Sequence, residues 1–387
     1  VPGDGADRDR YREPVRIGSF EPVVPVVLAP MAGVTNAPFR TMCRSFGPGL
    51  LYVNEMVMST AVVHRNPKTE RMMTFAPDEQ PRSLQLYGSD PHMVGEAVRR
   101  LCGEGMVDHI DMNFGCPAAK VTRRGGGAAV PAKPKLLRAI VREAVEASSP
   151  YGVPFTIKFR KGLFDSLLTH VETGRIAAEE GVAAVALHAR TAEQHYAGTA
   201  DWDAIGELKA AVQCIPVLGN GDIWAAEDAV AMMRHTGCDG VVVGRGCLGR
   251  PWLFRDLVDA LQGRPVQAPP TLGEVGVVMA RHARLLSDHL GEHHALRDFR
   301  KHTSWYFTGY PVGGTARGRF GMVSTMAELD DLIASLDPRL EIVPGGERIR
   351  RGHTNGPIRV ALPDGYLDQL DDLTIPDDAA RSGRAHV

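Results

Sequence analysis

Short runs rich in valine, isoleucine and leucine recur from about residue 23 onward. Each is followed by an amphipathic stretch with apolar positions at helical spacing. The runs occupy residues 26–30, 50–55, 83–88, 109–114, 155–160, 184–189, 216–221 and 240–245. Strands that alternate with helices pair in parallel, and eight such units predict a closed α/β fold, the (β/α)8 TIM barrel. The runs are nearly continuous in apolar character, as strands covered on both faces are. An open, doubly wound sheet is the alternative architecture.

The ends of these runs are rich in polar side chains. In order they offer Met31, Asn54 and Glu55, Gln85, Asn113, Lys158 and Arg160, His188, Asn220 and Asp222, and Arg245. In a β/α barrel the active site forms at the C-terminal strand ends, so the set predicts groups converging on one mouth. Ordinary loop polarity explains any single member but not the series.

The texture changes near residue 265, where a Gly/Pro-marked linker leads into a helical pattern over 271–345. Its centre carries Arg297, Arg300, Lys301 and His302, the aromatic run Trp305-Tyr306-Phe307, then Arg317 and Arg319. This predicts a small all-helical C-terminal domain with a basic, aromatic face. Taken singly, each aromatic reads as core. The expected organisation is a leader over 1–19, a barrel over 20–265, the helical domain over 271–345 and a flexible, charged, Pro/Gly-rich tail over 346–387.

Composition narrows the class. A chain of 387 residues is long enough for one large core and an accessory unit. Six cysteines are scattered without a Cys-x-x-Cys pair, which argues against a zinc site or disulfide framework and fits a reducing cytoplasm. No apolar run approaches bilayer length and no signal-peptide core is present, so no membrane association is expected. With a net charge of -2, nucleic-acid binding would need a local basic patch rather than global charge.

The candidate chemistry centres on His109-Ile110-Asp111-Met112-Asn113-Phe114-Gly115-Cys116-Pro117, a short strand breaking into a turn. Cys116 stands three residues after Asn113, and the basic, glycine-rich run containing Lys120, Arg123 and Arg124 follows. A buried structural cysteine is the ordinary alternative. The strand-end placement ahead of a flexible basic loop favours a catalytic acid, and an unperturbed thiol keeps its proton at neutral pH. The arginines suit an anionic substrate.

Two glycine-rich turns, Leu218-Gly219-Asn220-Gly221-Asp222 and Gly244-Arg245-Gly246, follow the last two strands, where barrels commonly bind phosphate. Arg245 can add a charge-assisted bond, so a phosphorylated cofactor is expected. The run Gly244-Arg245-Gly246-Cys247-Leu248-Gly249 also matches Gly-x-Gly-x-x-Gly. No further strand follows it, which excludes the dinucleotide fingerprint. Lys158 is costly in an apolar strand unless it faces the mouth, where a cation can stabilise an anionic reduced ring. His188 is either a core histidine or a mouth residue. The amide of Gln85 can read an imide edge.

These residues, with Leu28-Ala29-Pro30-Met31-Ala32-Gly33-Val34-Thr35-Asn36, Leu84-Gln85-Leu86-Tyr87-Gly88 and His188-Ala189-Arg190-Thr191, resemble the tRNA-dihydrouridine synthases, the bacterial B-type subgroup above all. The motifs run in the family's order over roughly residues 17–340. The resemblance implies FMN in the barrel, NADPH as reductant and tRNA held by the helical domain. It places Pro30, Met31 and Ala32 along the flavin ring, Gln85 and Lys158 at its polar edge, and His188, Asn220, Gly221, Asp222, Gly244 and Arg245 at the ribityl phosphate end. Asn113 would orient the uracil and Cys116 would donate a proton to C5 as hydride reaches C6 from FMN N5. Arg160 and Arg190 are expected to face substrate; Arg123, Arg124, Arg300 and Lys301 would hold RNA phosphates. The chain departs from the family at Phe114, often Met, and Ala119, often Lys. A monomer needing no protein partner is expected. The alternatives are an FMN barrel reducing a free pyrimidine, and a non-catalytic RNA-binding protein.

Overall fold

The structure is a computed structural model and describes residues 15–352 and 356–374. The strands are β1 (Val26–Leu28), β2 (Leu51–Met58), β3 (Ser83–Tyr87), β4 (His109–Phe114), β5 (Phe155–Arg160), β6 (Gly162–Phe164), β7 (Leu167–Leu168), β8 (Ala184–His188), β9 (Val217–Asn220) and β10 (Gly240–Val243). Eight of them close a parallel barrel in the order β1-β10-β9-β8-β5-β4-β3-β2. The TIM barrel expectation is met, and the open sheet is excluded. β6 and β7 form a short antiparallel hairpin within the connection that follows β5.

One sector of the barrel interior is aliphatic, with Val27, Leu51, Val53, Ala184, Ala186, Leu218 and Val242 packed together. Ile17 joins that cluster and is 1% exposed, so the end of the expected leader packs into the barrel. Residues 1–14 of that leader lie outside the described residues. The opposite sector is polar, contributed by β3, β4 and β5. Strand register carries polar residues around the mouth: Asn113 pairs with Lys158, Arg160 with His188, and His188 with Asn220.

β2 runs three residues beyond the expected end at residue 55, and its register with β3 shifts between Val53 and Met56. A bulge of this kind re-aims the side chains after it. Asn54 therefore joins a buried network outside the barrel, accepting from Arg40 Nη1 at 2.7 Å, while Arg40 pairs with Glu79 at 2.5 Å. Neither Asn54 nor Glu55 reaches the mouth cavity; Met56 does.

The C-terminal helices Leu272–Leu290, Glu292–Tyr306, Gly314–Phe320 and Met326–Ala334 form a second core. Thr271 and Glu274 cap the first of them reciprocally, which satisfies its free amide groups. Phe299, Tyr306 and Phe307 are buried there, so the expected aromatic face is largely core. The described part of residues 346–374, expected to be mobile, is docked instead: Arg351 and Tyr366 are both buried.

Candidate active site

A cavity of about 440 Å³ opens at the C-terminal mouth of the barrel. Its lining includes Pro30, Met31, Ala32, Gln85, Asn113, Cys116, Lys158, Arg160, His188, Asn220, Gly221, Asp222, Gly244 and Arg245. Its volume lies in the range of small-molecule and cofactor sites. Sequence reasoning missed Met56, His195, Tyr196 and Trp224 on the wall, and Trp305 reaches it from the helical unit. His195, Tyr196 and Trp224 sit on irregular loops that carry no periodic signal, and Met56 reaches the wall through the bulge in β2.

A chain of hydrogen bonds runs from the barrel interior to the cysteine loop. Thr156 Oγ1 donates to Asp111 Oδ1 at 2.7 Å, and Gln85 Nε2 donates to Asp111 Oδ2 at 2.6 Å. Asn113 Nδ2 donates to Gln85 Oε1 at 2.7 Å. Asn113 Oδ1 then accepts from the N–H groups of Gly115 and Cys116, at 3.0 and 2.8 Å. Each amide is oriented by its neighbour, because a carboxylate accepts only. Gln85 keeps one N–H for a ligand, whereas the second N–H of Asn113 faces the Met56 sulfur at 3.4 Å.

Cys116 is half-buried, and burial pushes its thiol above the ordinary value, opposed by the Ala118 N–H, Arg160 and Lys120. It therefore holds its proton at neutral pH, as a proton donor must. Burial lowers Lys158 to about 8, with Arg160 pushing the same way and Asp111 opposing. His188 is driven well below its usual value by burial and by Arg160, Lys158, Arg190 and Arg245, so its imidazole is neutral. Arg245 stacks 4.3 Å from the Tyr196 ring centre and 5.1 Å from that of Trp224, which fixes its guanidinium beside the glycine turns. A Cβ on Gly246 would lie 2.1 Å from the Ile223 carbonyl oxygen, so the two turns press together without room for a side chain.

Of the two arginines expected to face substrate, Arg160 lines the cavity and Arg190 does not. Arg190 is fully buried and absent from the cavity wall; it pairs with both oxygens of Asp222, at 2.9 and 2.7 Å, and with the carbonyls of Ala197 and Gly198. Its Nε and Nη2 thus brace the loops after β8 and β9, while its buried Nη1 has no hydrogen-bond partner among the described residues. Asp222, whose oxygens also accept from Ala200 N–H, lines the cavity mainly as the other half of that brace. Arg160 does line the cavity, yet it donates to the carbonyls of Gly115, Thr191 and His195, clamping the loops after β4 and β8 together.

The residues expected to hold RNA lie outside the cavity. Arg123 and Arg124 are exposed on the cysteine loop. Lys301 reaches from the helical unit to the Gly33 carbonyl at 2.5 Å and also pairs with Asp298. Arg300 donates to the carbonyls of Val323 and Met322.

A profile described as Dihydrouridine synthase (Dus) matches residues 27–337. The chain belongs to the dihydrouridine synthase family. A relative from Mycobacterium tuberculosis named "Probable tRNA-dihydrouridine synthase" is 53% identical over 375 residues, covering 95% of this chain and 96% of its own length. A "tRNA-dihydrouridine synthase B" from Pseudomonas putida is 36% identical over 326 residues, covering 84% of this chain and 95% of its own. Such relatives support the bacterial B-type subgroup. Among solved structures, histamine dehydrogenase from Rhizobium sp. 4-9 shares the barrel fold with a TM-score of 0.51 at 11% identity, covering 85% of this chain and 64% of that one. Among the described residues no helix is long and apolar enough to cross a membrane.

Proposed function

We propose that this protein reduces uridines in tRNA to 5,6-dihydrouridine, with FMN as bound cofactor and NADPH as reductant. The observation that carries the reading is the placement of one protonated thiol on the wall of a cationic cavity in a dihydrouridine synthase barrel.

The residues present fit FMN. The two appressed glycine turns and Arg245 offer backbone amides and a fixed cation to a phosphate. Lys158 and the spare N–H of Gln85 suit the polar edge of a ring that gains negative charge, and Met31 and Ala29 give it an apolar wall. When bound, the flavin supplies the hydride that reaches uracil C6. The chain supplies the rest. Cys116 delivers a proton from its Sγ to C5, and Lys158 offsets charge on the cofactor. Asn113 fixes the cysteine backbone and is proposed to orient the pyrimidine by turning its second N–H from the Met56 sulfur to the base. Arg123, Arg124, Arg300 and Lys301 are proposed as phosphate contacts, with the base turned out of the RNA stack into the pocket. Trp305, reaching the wall from the helical unit, favours a macromolecular substrate over a free pyrimidine.

Cys116→Ala tests this directly. The variant should purify yellow and be bleached by NADPH at the wild-type rate, while dihydrouridine formation on tRNA falls about 100-fold or more, the scale of a lost general acid. Wild-type turnover in the variant would remove Cys116 from the chemistry.

A further inference from the structure

The family profile ends at residue 337, yet residues 356–374 pack against the loops that follow β4, β5 and β8. Ile358 N–H donates to the Glu193 carbonyl at 2.8 Å, on the loop after β8. Val360 and Tyr366 then enter an apolar cluster with Ala128, Ala129, Ala132, Leu163 and Ala192. The Lys133 ammonium lies 4.7 Å from the Tyr366 ring centre, and Lys135 pairs with Asp371 at 2.8 Å. The Tyr366 hydroxyl is buried and sits 3.3 Å from the Gly125 carbonyl and 3.2 Å from that of Ala129.

Those two carbonyls belong to the far end of the cysteine loop. Ala128 N–H donates to the Cys116 carbonyl at 3.1 Å, and a Cβ on Gly127 would lie 2.7 Å from the same oxygen. The segment 125–129 therefore packs directly on the Cys116 backbone. Asn113 holds the start of the loop and Arg160 holds it at Gly115. Tyr366 provides a third anchor from a part of the chain outside the family profile.

We propose that Tyr366 is a positioning residue for Cys116, and that residues 356–374 form a strap holding the thiol's loop closed over the cavity. The proposal rests on the reading of Cys116 as proton donor. A tyrosine hydroxyl in a buried setting gives a directional bond that packing alone does not, so the strap sets where the loop sits as well as whether it is covered. Released, the loop would expose the thiol to water, and the sulfur would ionise and alkylate more readily.

The experiment uses the full-length, flavin-loaded chain with Cys214→Ser, since Cys214 is exposed and would react first. Tyr366→Phe keeps the ring beneath Lys133 and removes only the hydroxyl. Iodoacetamide modification of Cys116 is followed by mass spectrometry across pH, beside the two half-reactions and the melting temperature. Tyr366→Phe should alkylate at Cys116 roughly five- to tenfold faster, the factor a lost buried hydrogen bond gives. Its reactivity should rise at lower pH, and kcat on tRNA should fall while KM for tRNA and bleaching by NADPH stay unchanged. A chain stopped after Ile358 should show the same changes more strongly. Wild-type alkylation and wild-type kcat in both variants would overturn the proposal. If Cys116→Ala retained activity, the functional reading would fall, but faster alkylation in Tyr366→Phe would still establish the strap.

Discussion

Asp111 lies beneath the cavity with no side-chain atom at its surface, yet it sets the polarity of the amides above it. Burial raises its carboxyl from 3.8 to about 6, against the pull of Thr156, Gln85 and Lys158. The folded chain therefore binds more protons than the unfolded chain between those values, and stability falls as pH rises from about 4 to about 6. The full difference is on the order of 3 kcal/mol. Asp111→Asn removes that titration, so the stability gap between wild type and variant should be wider at pH 4 than at pH 7, read from denaturant melts. The variant keeps one acceptor oxygen for the two donors, Gln85 and Thr156, that Asp111 serves, so the orientation of Gln85 and of the Asn113 amide above it is no longer fixed. Catalysis should suffer even where stability does not. A pH-independent gap with normal turnover would show that Asp111 is only filler. The strand around it was legible in the sequence, but this role was not: a carboxylate inside a β-strand carries no sign of which amides it will face.

At the scale of elements, the eight strands were readable because each is a short apolar run closed by a polar end, and two match their expected bounds: β4 and β5. What was not readable depended on contacts distant in sequence. The β6–β7 hairpin is five residues of strand inside a loop, too short for a period to register. The docking of residues 356–374 rests on a few isolated apolar side chains among prolines and charges, a composition that reads as disorder. Arg190 shows the same limit, since whether a strand-end arginine reaches the cavity or pairs behind its wall depends on where Asp222 lies. The glycine turns line the cavity, and their packing gives a test of the phosphate role expected of them. Gly246→Ala would force the turn away from the Ile223 carbonyl and carry Arg245 with it. Flavin binding should weaken roughly ten- to hundredfold, the effect of 1–3 kcal/mol of overpacking, measured by quenching of flavin fluorescence. Unchanged affinity would mean that these turns do not carry the phosphate.

At the scale of the whole molecule, the barrel and the helical unit meet through a buried aromatic joint. Phe39, on the barrel's first helix, lies 5.7 Å from His282 and 5.9 Å from His302, whose rings are 4.6 Å apart. His282 Nδ1 lies 3.1 Å from the Tyr306 hydroxyl, and both rings feel the Lys301 ammonium. Burial first, and then that cation, lowers His282 to about 3; burial, then His282, then the cation hold His302 well below its usual value. Both are neutral in the folded joint, whereas the unfolded chain takes up their protons near pH 6.5. The stability they contribute is thus intact above pH 6.5 and is lost progressively as pH falls below it. This is opposite in sign to Asp111, so acid should open the joint while it relieves the barrel interior. Trp305 lies 5.0 Å from His302 and also lines the cavity, so its fluorescence reports on the joint. Acidification from pH 7 to 4 should change that emission before far-ultraviolet ellipticity falls, and tRNA reduction should fail before flavin is released. His282→Gln with His302→Gln should move the emission midpoint to lower pH or abolish it. If wild type and double variant acidify along one curve, the helical unit is held by something other than this pair.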